Sequence, residues 1–106
     1  MSGAIAERDA DGCLVDAAAW NRDIAMELAR EEGITLGAAH WEILDALRRY
    51  FAAHDHSPAM RALVSLVRRE LGAEKGNSLH LLRLFPGSPA RKASKIAGLP
   101  KPEHCL

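Results

Sequence analysis

The sequence predicts a mainly α, single-domain protein: a small N-terminal β-hairpin, about five helices, and an extended C-terminal arm. Three observations carry this. The chain has 106 residues, the size of one domain. Apolar residues recur at helical spacing in blocks separated by cap, glycine and proline signals. After Gly98, Pro100 and Pro102 exclude a further helix and stiffen the tail.

From the N-terminus, Ala4-Ile5-Ala6 and Cys13-Leu14-Val15 flank the turn signal Asp9-Ala10-Asp11-Gly12, which predicts a hairpin over residues 5–16. Asp16 is a good N-cap for a helix over about 17–31, in which Trp20, Ile24 and Leu28 recur every fourth residue before Gly33. Thr35 is the expected cap of a second helix running to about His54, with the stripe Trp41, Leu44, Leu47 and Phe51 flanked by Ile43 and Tyr50. Ser57-Pro58 reads as a cap with proline at the first helical position, opening a third helix buried through Met60, Leu63, Val64, Val67 and Leu71 and stopped by Gly72. A short fourth helix spans about 78–85 before Pro86-Gly87. Ser88-Pro89 repeats the cap signature for a last short helix ending at Gly98. Residues 1–98 therefore form the domain, and 99–106 a flexible arm outside the core.

With 48% apolar and 26% charged residues the chain belongs among ordinary soluble domains, not disordered or membrane-spanning ones. The longest uncharged stretch, Gly33 to Trp41, is far short of the roughly 20 apolar residues a span needs. The N-terminus carries Glu7, Arg8, Asp9 and Asp11 and no apolar block, unlike a secretory signal, so a cytoplasmic protein without a membrane partner is expected. Cys13 and Cys105 then read as free thiols, and no paired ligand spacing suggests a metal or other cofactor. The zero formal charge conceals an asymmetry: residues 1–56 carry a net −6 and residues 57–106 a net +6. Such a field steers acidic partners or RNA to one side, and the charged outer faces of helices produce the same count.

Cys105 is the residue hardest to explain structurally. Free cysteine is usually buried as a small hydrophobe, yet this one stands next to last on a polar, proline-stiffened tail. Counted from Gly98, the thiol reaches at most roughly 23 Å at about 3.3 Å per residue. Its reactivity depends on thiolate: Lys101, and Arg91, Lys92 and Lys95 if near, favour the anion, while Glu103 and the terminal carboxylate oppose it. His104 is a neighbouring proton acceptor, more often a bystander. Cys13, beside Leu14 in a strand, reads as packed, and Trp20 and Trp41 read as core.

The segments Asp11-Gly12-Cys13-Leu14-Val15-Asp16, Trp20-Asn21, Glu31-Glu32-Gly33-Ile34, His40-Trp41-Glu42, Ser57-Pro58-Ala59-Met60-Arg61, Gly76-Asn77-Ser78, Leu84-Phe85-Pro86-Gly87 and Ala97-Gly98-Leu99-Pro100-Lys101-Pro102 resemble the DsrC/TusE family, in order and ending in the family's penultimate cysteine. The resemblance implies a helix-turn-helix-containing orthogonal bundle and a sulfurtransferase that carries sulfane sulfur as a persulfide on Cys105. Arg61, Lys92, Lys101 and His104 are candidates for partner docking or arm positioning. Full DsrC members have a second arm cysteine 11 positions before the first; here that position is Ser94, so the chain is more similar to the single-cysteine, TusE-like branch. That branch implies an upstream sulfur-carrier complex of the TusBCD/DsrEFH kind as donor and a tRNA 2-thiouridylase, with or without bound tRNA, as acceptor; the sequence leaves the oligomeric state open, with a monomer favoured. The alternative is a DsrC-like carrier or regulator partnering a sulfite reductase in dissimilatory sulfur metabolism. A nucleic-acid-binding helix-turn-helix, using Arg68, Arg69, Lys75 and Arg83, ranks lower because the loop 72–77 is longer than the usual turn.

Overall fold

A computed structural model describes residues 7–103. The element order is a short 3-10 helix Ala17–Ala19, then α1 (Arg22–Glu31), α2 (Ala38–His54), α3 (Met60–Leu71), α4 (Ser78–Leu84) and α5 (Pro89–Ile96). The protein is mainly helical, as its sequence predicts.

α5 is the hub. It packs against each of the other four helices, and its inward residues Ala90, Ala93 and Ser94 are small enough for close approach, with Ile96 filling the space beyond. The surrounding core is made of Leu28, Ile43, Leu44, Leu47, Leu63, Leu66, Leu81 and Phe85, all buried. Side chains at every third or fourth position of each helix reach this centre because that spacing stays on one face. Trp20, Ile24, Trp41, Phe51, Met60 and Val64 line its rim, partly exposed.

Four sequence expectations are corrected, and the hairpin is met only in part: the described residues hold one antiparallel bridge, Arg8 with Leu14, and the expected first strand, Ala4-Ile5-Ala6, lies outside the described residues. The turn itself forms, and tightly. The Asp9 carboxylate accepts from the N–H groups of Asp11 and Cys13, and Gly12 takes φ +82°, which glycine adopts without steric cost.

The helix expected over 17–31 is two pieces. Asp16 caps only the 3-10 turn, Trp20 is extended, and Asn21 accepts from the Ile24 N–H to start α1. Tertiary bonding overrides local propensity here, because the Trp20 indole N–H donates to the Ile96 carbonyl at 2.8 Å. Thr35 does not cap α2; Gly37 does, and its N–H donates to His40 Nδ1 at 3.0 Å. That bond leaves the ring hydrogen on Nε2, which donates to the Leu84 carbonyl at 3.0 Å and ties the start of α2 to the end of α4.

Ser57 does not cap α3 either. The helix begins at Met60 with Ala59 as an N-cap lacking a side-chain bond. Finally, the arm's first residues belong to the body: Leu99 is 1% exposed and part of the core, and Pro102 is buried. The leucine is apolar and directly succeeds Gly98, whose φ of +78° turns the chain back onto the core.

Candidate functional site

The arm leaves α5 through a brace of hydrogen bonds. The last carbonyls of a helix have no partners within it, and here donors from elsewhere supply them. The Leu99 N–H donates to the Ser94 carbonyl at 2.9 Å. Trp20 takes Ile96, and Arg48 donates through one terminal nitrogen to Ala97 O at 2.8 Å and through the other to Ala17 O at 3.1 Å. The Arg48 guanidinium lies 4.3 Å over the Trp20 ring, a cation–π contact. Burial pushes the Arg48 pKa below its ordinary value, yet arginine remains a cation in proteins. Three residues beyond Ala97, the Ser57 hydroxyl donates to the Pro100 carbonyl at 2.6 Å. Gly98 is obligatory in this brace, since an added Cβ would meet the Trp20 ring at 2.4 Å.

Beside the arm root lies a cleft of about 220 Å³ lined by Asp11, Cys13, Glu32, Ser88, Arg91, Lys92 and Lys95. Its cations are largely engaged. Lys95 Nζ bonds Glu32 at 2.7 Å and Glu31 at 3.2 Å. Burial alone would lower the Lys95 pKa, but these carboxylates outweigh it and raise the value. The same hydrogen bond holds Glu32 below the usual carboxylate range. Lys92 Nζ donates to the Pro86 carbonyl at 2.6 Å. Cys13 forms part of the wall and is 3% exposed. Burial first, then Asp9 and Asp11, push its thiol up, against weaker opposing effects of Lys95 and Arg91. A thiol so placed stays protonated and unreactive at neutral pH.

The structure brings some of the predicted site residues together. Lys92 lines the cleft, and Lys101 reaches its edge with Nζ 3.7 Å from the Asp11 carboxylate. Arg61 is exposed in the first turn of α3 and is not among the cleft-lining residues. Cys105 and His104 lie outside the described residues. Sequence reasoning missed Ser57, Arg48 and Trp20 as supports of the arm. The local pattern marks Ser57 as a helix cap and Trp20 as core, and gives Arg48 no signal at all. Among the described residues no group of three His, Cys, Asp or Glu side chains stands close enough to hold a metal ion. No helix among them is long and apolar enough to cross a membrane.

A small helical domain braces the residues that follow its last helix and seals its described thiol in a wall. Comparisons with known proteins give the class to which such a domain belongs. The family model described as DsrC like protein matches residues 1–106, and the chain belongs to that family. The sulfurtransferase TusE of Sodalis glossinidius (strain morsitans) is 47% identical over 106 residues, covering 100% of this chain and 98% of the relative. The solution structure of Allochromatium vinosum DsrC superposes with a TM-score of 0.84 at 39% identity, covering 93% of this chain and 88% of that one. The oxidised γ-subunit of dissimilatory sulfite reductase (DsrC) from Archaeoglobus fulgidus gives 0.80 at 36% identity, covering 95% and 92%. The protein is accordingly a sulfurtransferase with a sulfur-relay role.

Proposed function

We propose that Cys105 carries the relayed sulfur. Its thiolate attacks the outer sulfur of a donor persulfide; the donor S–S bond breaks, the donor leaves as thiolate, and Cys105 becomes the persulfide with no net oxidation. Hand-over is the same exchange in reverse sense: an acceptor cysteine thiolate attacks the outer sulfur, and Cys105 leaves as thiolate. The supporting observation is the contrast between the two cysteines. Cys13 is walled in with its thiol pushed up, whereas Cys105 occupies the penultimate position that the family resemblance marks. Partner docking or arm positioning falls to Arg61 and Lys92 on the body and to Lys101 and His104 on the arm.

The acceptor we infer is a tRNA 2-thiouridylase, and the donor an upstream carrier complex, because Ser94 stands where two-cysteine members have sulfur and cannot close a disulfide with Cys105. A role with sulfite reductase is the second reading, favoured by the likeness to the Archaeoglobus subunit. A cytoplasmic location accords with both.

The test is intact mass and peptide mapping after incubation with glutathione persulfide. One added sulfur on the peptide containing Cys105, lost in Cys105→Ser and kept in Cys13→Ala, is the expected result. Label on the Cys13 peptide, or persulfide surviving in Cys105→Ser, would overturn the assignment. Restoration of 2-thiouridine in tRNA by the wild-type chain, in cells lacking their own relay protein, separates the first reading from the second.

A further inference from the structure

We propose that Ser57 is a positioning residue for sulfur transfer: by holding the Pro100 carbonyl it starts the tether of Cys105 at Pro102 rather than at Leu99. This rests on the reading of Cys105 as the carrier. The local sequence prepares Ser57 for a different task, since serine before proline is a helix-cap signature. The side chain forgoes it. α3 begins on Ala59 without any side-chain cap, and the hydroxyl turns instead to a carbonyl 43 positions away, at 2.6 Å. A residue that breaks a local rule while making a short, nearly buried bond to the arm is spent on the arm.

The neighbouring contacts show why one hydroxyl matters. Trp20 and Arg48 already fix Ile96 and Ala97, and Leu99 is sealed in the core. Pro100 is exposed, and its carbonyl is held by Ser57 alone among the described residues. Pro102 then returns to a buried position. With this seat in place, the chain to Cys105 is three residues long, 103–105, a reach of roughly 10 Å at about 3.3 Å per residue. Released at Pro100, it doubles to six, a reach of roughly 20 Å. The partner's cysteine must therefore approach within about 10 Å of Pro102, beside the Lys101–Asp11 edge of the cleft. A short tether also concentrates the thiol there. Effective concentration falls roughly as the −3/2 power of tether length, so doubling the tether dilutes it about threefold.

The experiment measures the seat and the chemistry separately. A nitroxide on Cys105 and a second on Met26→Cys, at an exposed site of α1, in a Cys13→Ala background, give a distance distribution by pulsed electron–electron double resonance. Ser57→Ala removes only the hydroxyl. It should broaden the distribution about 1.4-fold, the square root of the doubled length, while helical circular dichroism and, in the unlabelled chain carrying Ser57→Ala alone, loading of Cys105 by glutathione persulfide, a donor that needs no docking, stay as in the parent. Ser57→Thr, which restores the donor, should narrow the distribution again. Equal widths in the parent and Ser57→Ala, or broadening that Ser57→Thr does not reverse, would overturn the positioning role. Slower loading by the small donor in Ser57→Ala would overturn it too, since the residue would then act on the thiol itself. Failure of the parent to load sulfur at all would defeat the carrier reading instead, and the distance measurement would still report whether Ser57 seats the arm.

Discussion

Leu99→Ala tests whether the arm's root is part of the folded body. Leu99 is 1% exposed within the core, and α5, to whose end it is joined, is packed against four helices. A cavity left there has little freedom to collapse. Leucine-to-alanine changes in cores cost about 2–5 kcal/mol, more where the site cannot close, so a loss of about 3 kcal/mol is expected. For a domain of this size that lowers Tm by about 12–24 °C, and the urea midpoint by about 1–3 M, both monitored by circular dichroism. Cutting the chain after Gly98 should cost at least as much, because it removes Leu99, its bond to Ser94 and the Ser57–Pro100 bond together. Cutting after Glu103 should cost less than about 0.5 kcal/mol, as for changes away from the core. A loss below about 1 kcal/mol on truncation after Gly98, the scale of surface changes, would refute the burial of Leu99 as a stabilising element.

Glu32→Gln should lose about 1 kcal/mol near pH 7, the scale of a partly buried ion pair of good geometry. Because the Glu32 pKa is lowered from 4.5 and that of Lys95 raised from 10.5, the stabilisation is present above the former and below the latter. The gap between wild type and variant in urea unfolding should therefore close as pH falls below the carboxylate's folded value, or rises through that of the lysine. Ser94→Ala should be neutral or stabilise by about 1 kcal/mol, since the Ser94 hydroxyl is fully buried without a partner among the described residues and deleting such a group removes a desolvation cost; a clear loss of Tm would mean the hydroxyl has an acceptor. Gly76→Ala should destabilise by about 3 kcal/mol, because its Cβ would lie 2.3 Å from the backbone of Arg68; wild-type Tm would show that the α3–α4 loop is free to move away.

What the sequence made legible depended on range. α4 and α5 came out nearly to the residue, because Asn77-Ser78, Ser88-Pro89 and the flanking glycines act on their own neighbours. The core stripes of α2 and α3 were readable for the same reason, periodicity being local. The starts of α1, α2 and α3 were not. Trp20, His40 and Ser57 are each recruited by a carbonyl 43 to 76 positions away, and no local pattern encodes such a bond. Leu99 was misread because its company is two prolines, which argue correctly against helix and say nothing about burial. At the candidate site, resemblance directed attention to Cys105, while the brace that aims it stayed invisible until residues distant in sequence were seen together.

Trp20 has a spectroscopic consequence. The protein has two tryptophans, and each lies under a guanidinium: Arg48 over Trp20 at 4.3 Å and Arg22 over Trp41 at 3.8 Å. Only Trp20 touches the exit of α5, through its bond to Ile96 and its contact with Gly98. With Trp41 replaced by phenylalanine, the remaining indole becomes a native fluorophore at the arm's root, its emission set by a cation overhead and a hydrogen bond to the segment that leads to the thiol. Docking events that pull on the arm would then register as a shift in colour, without any label attached.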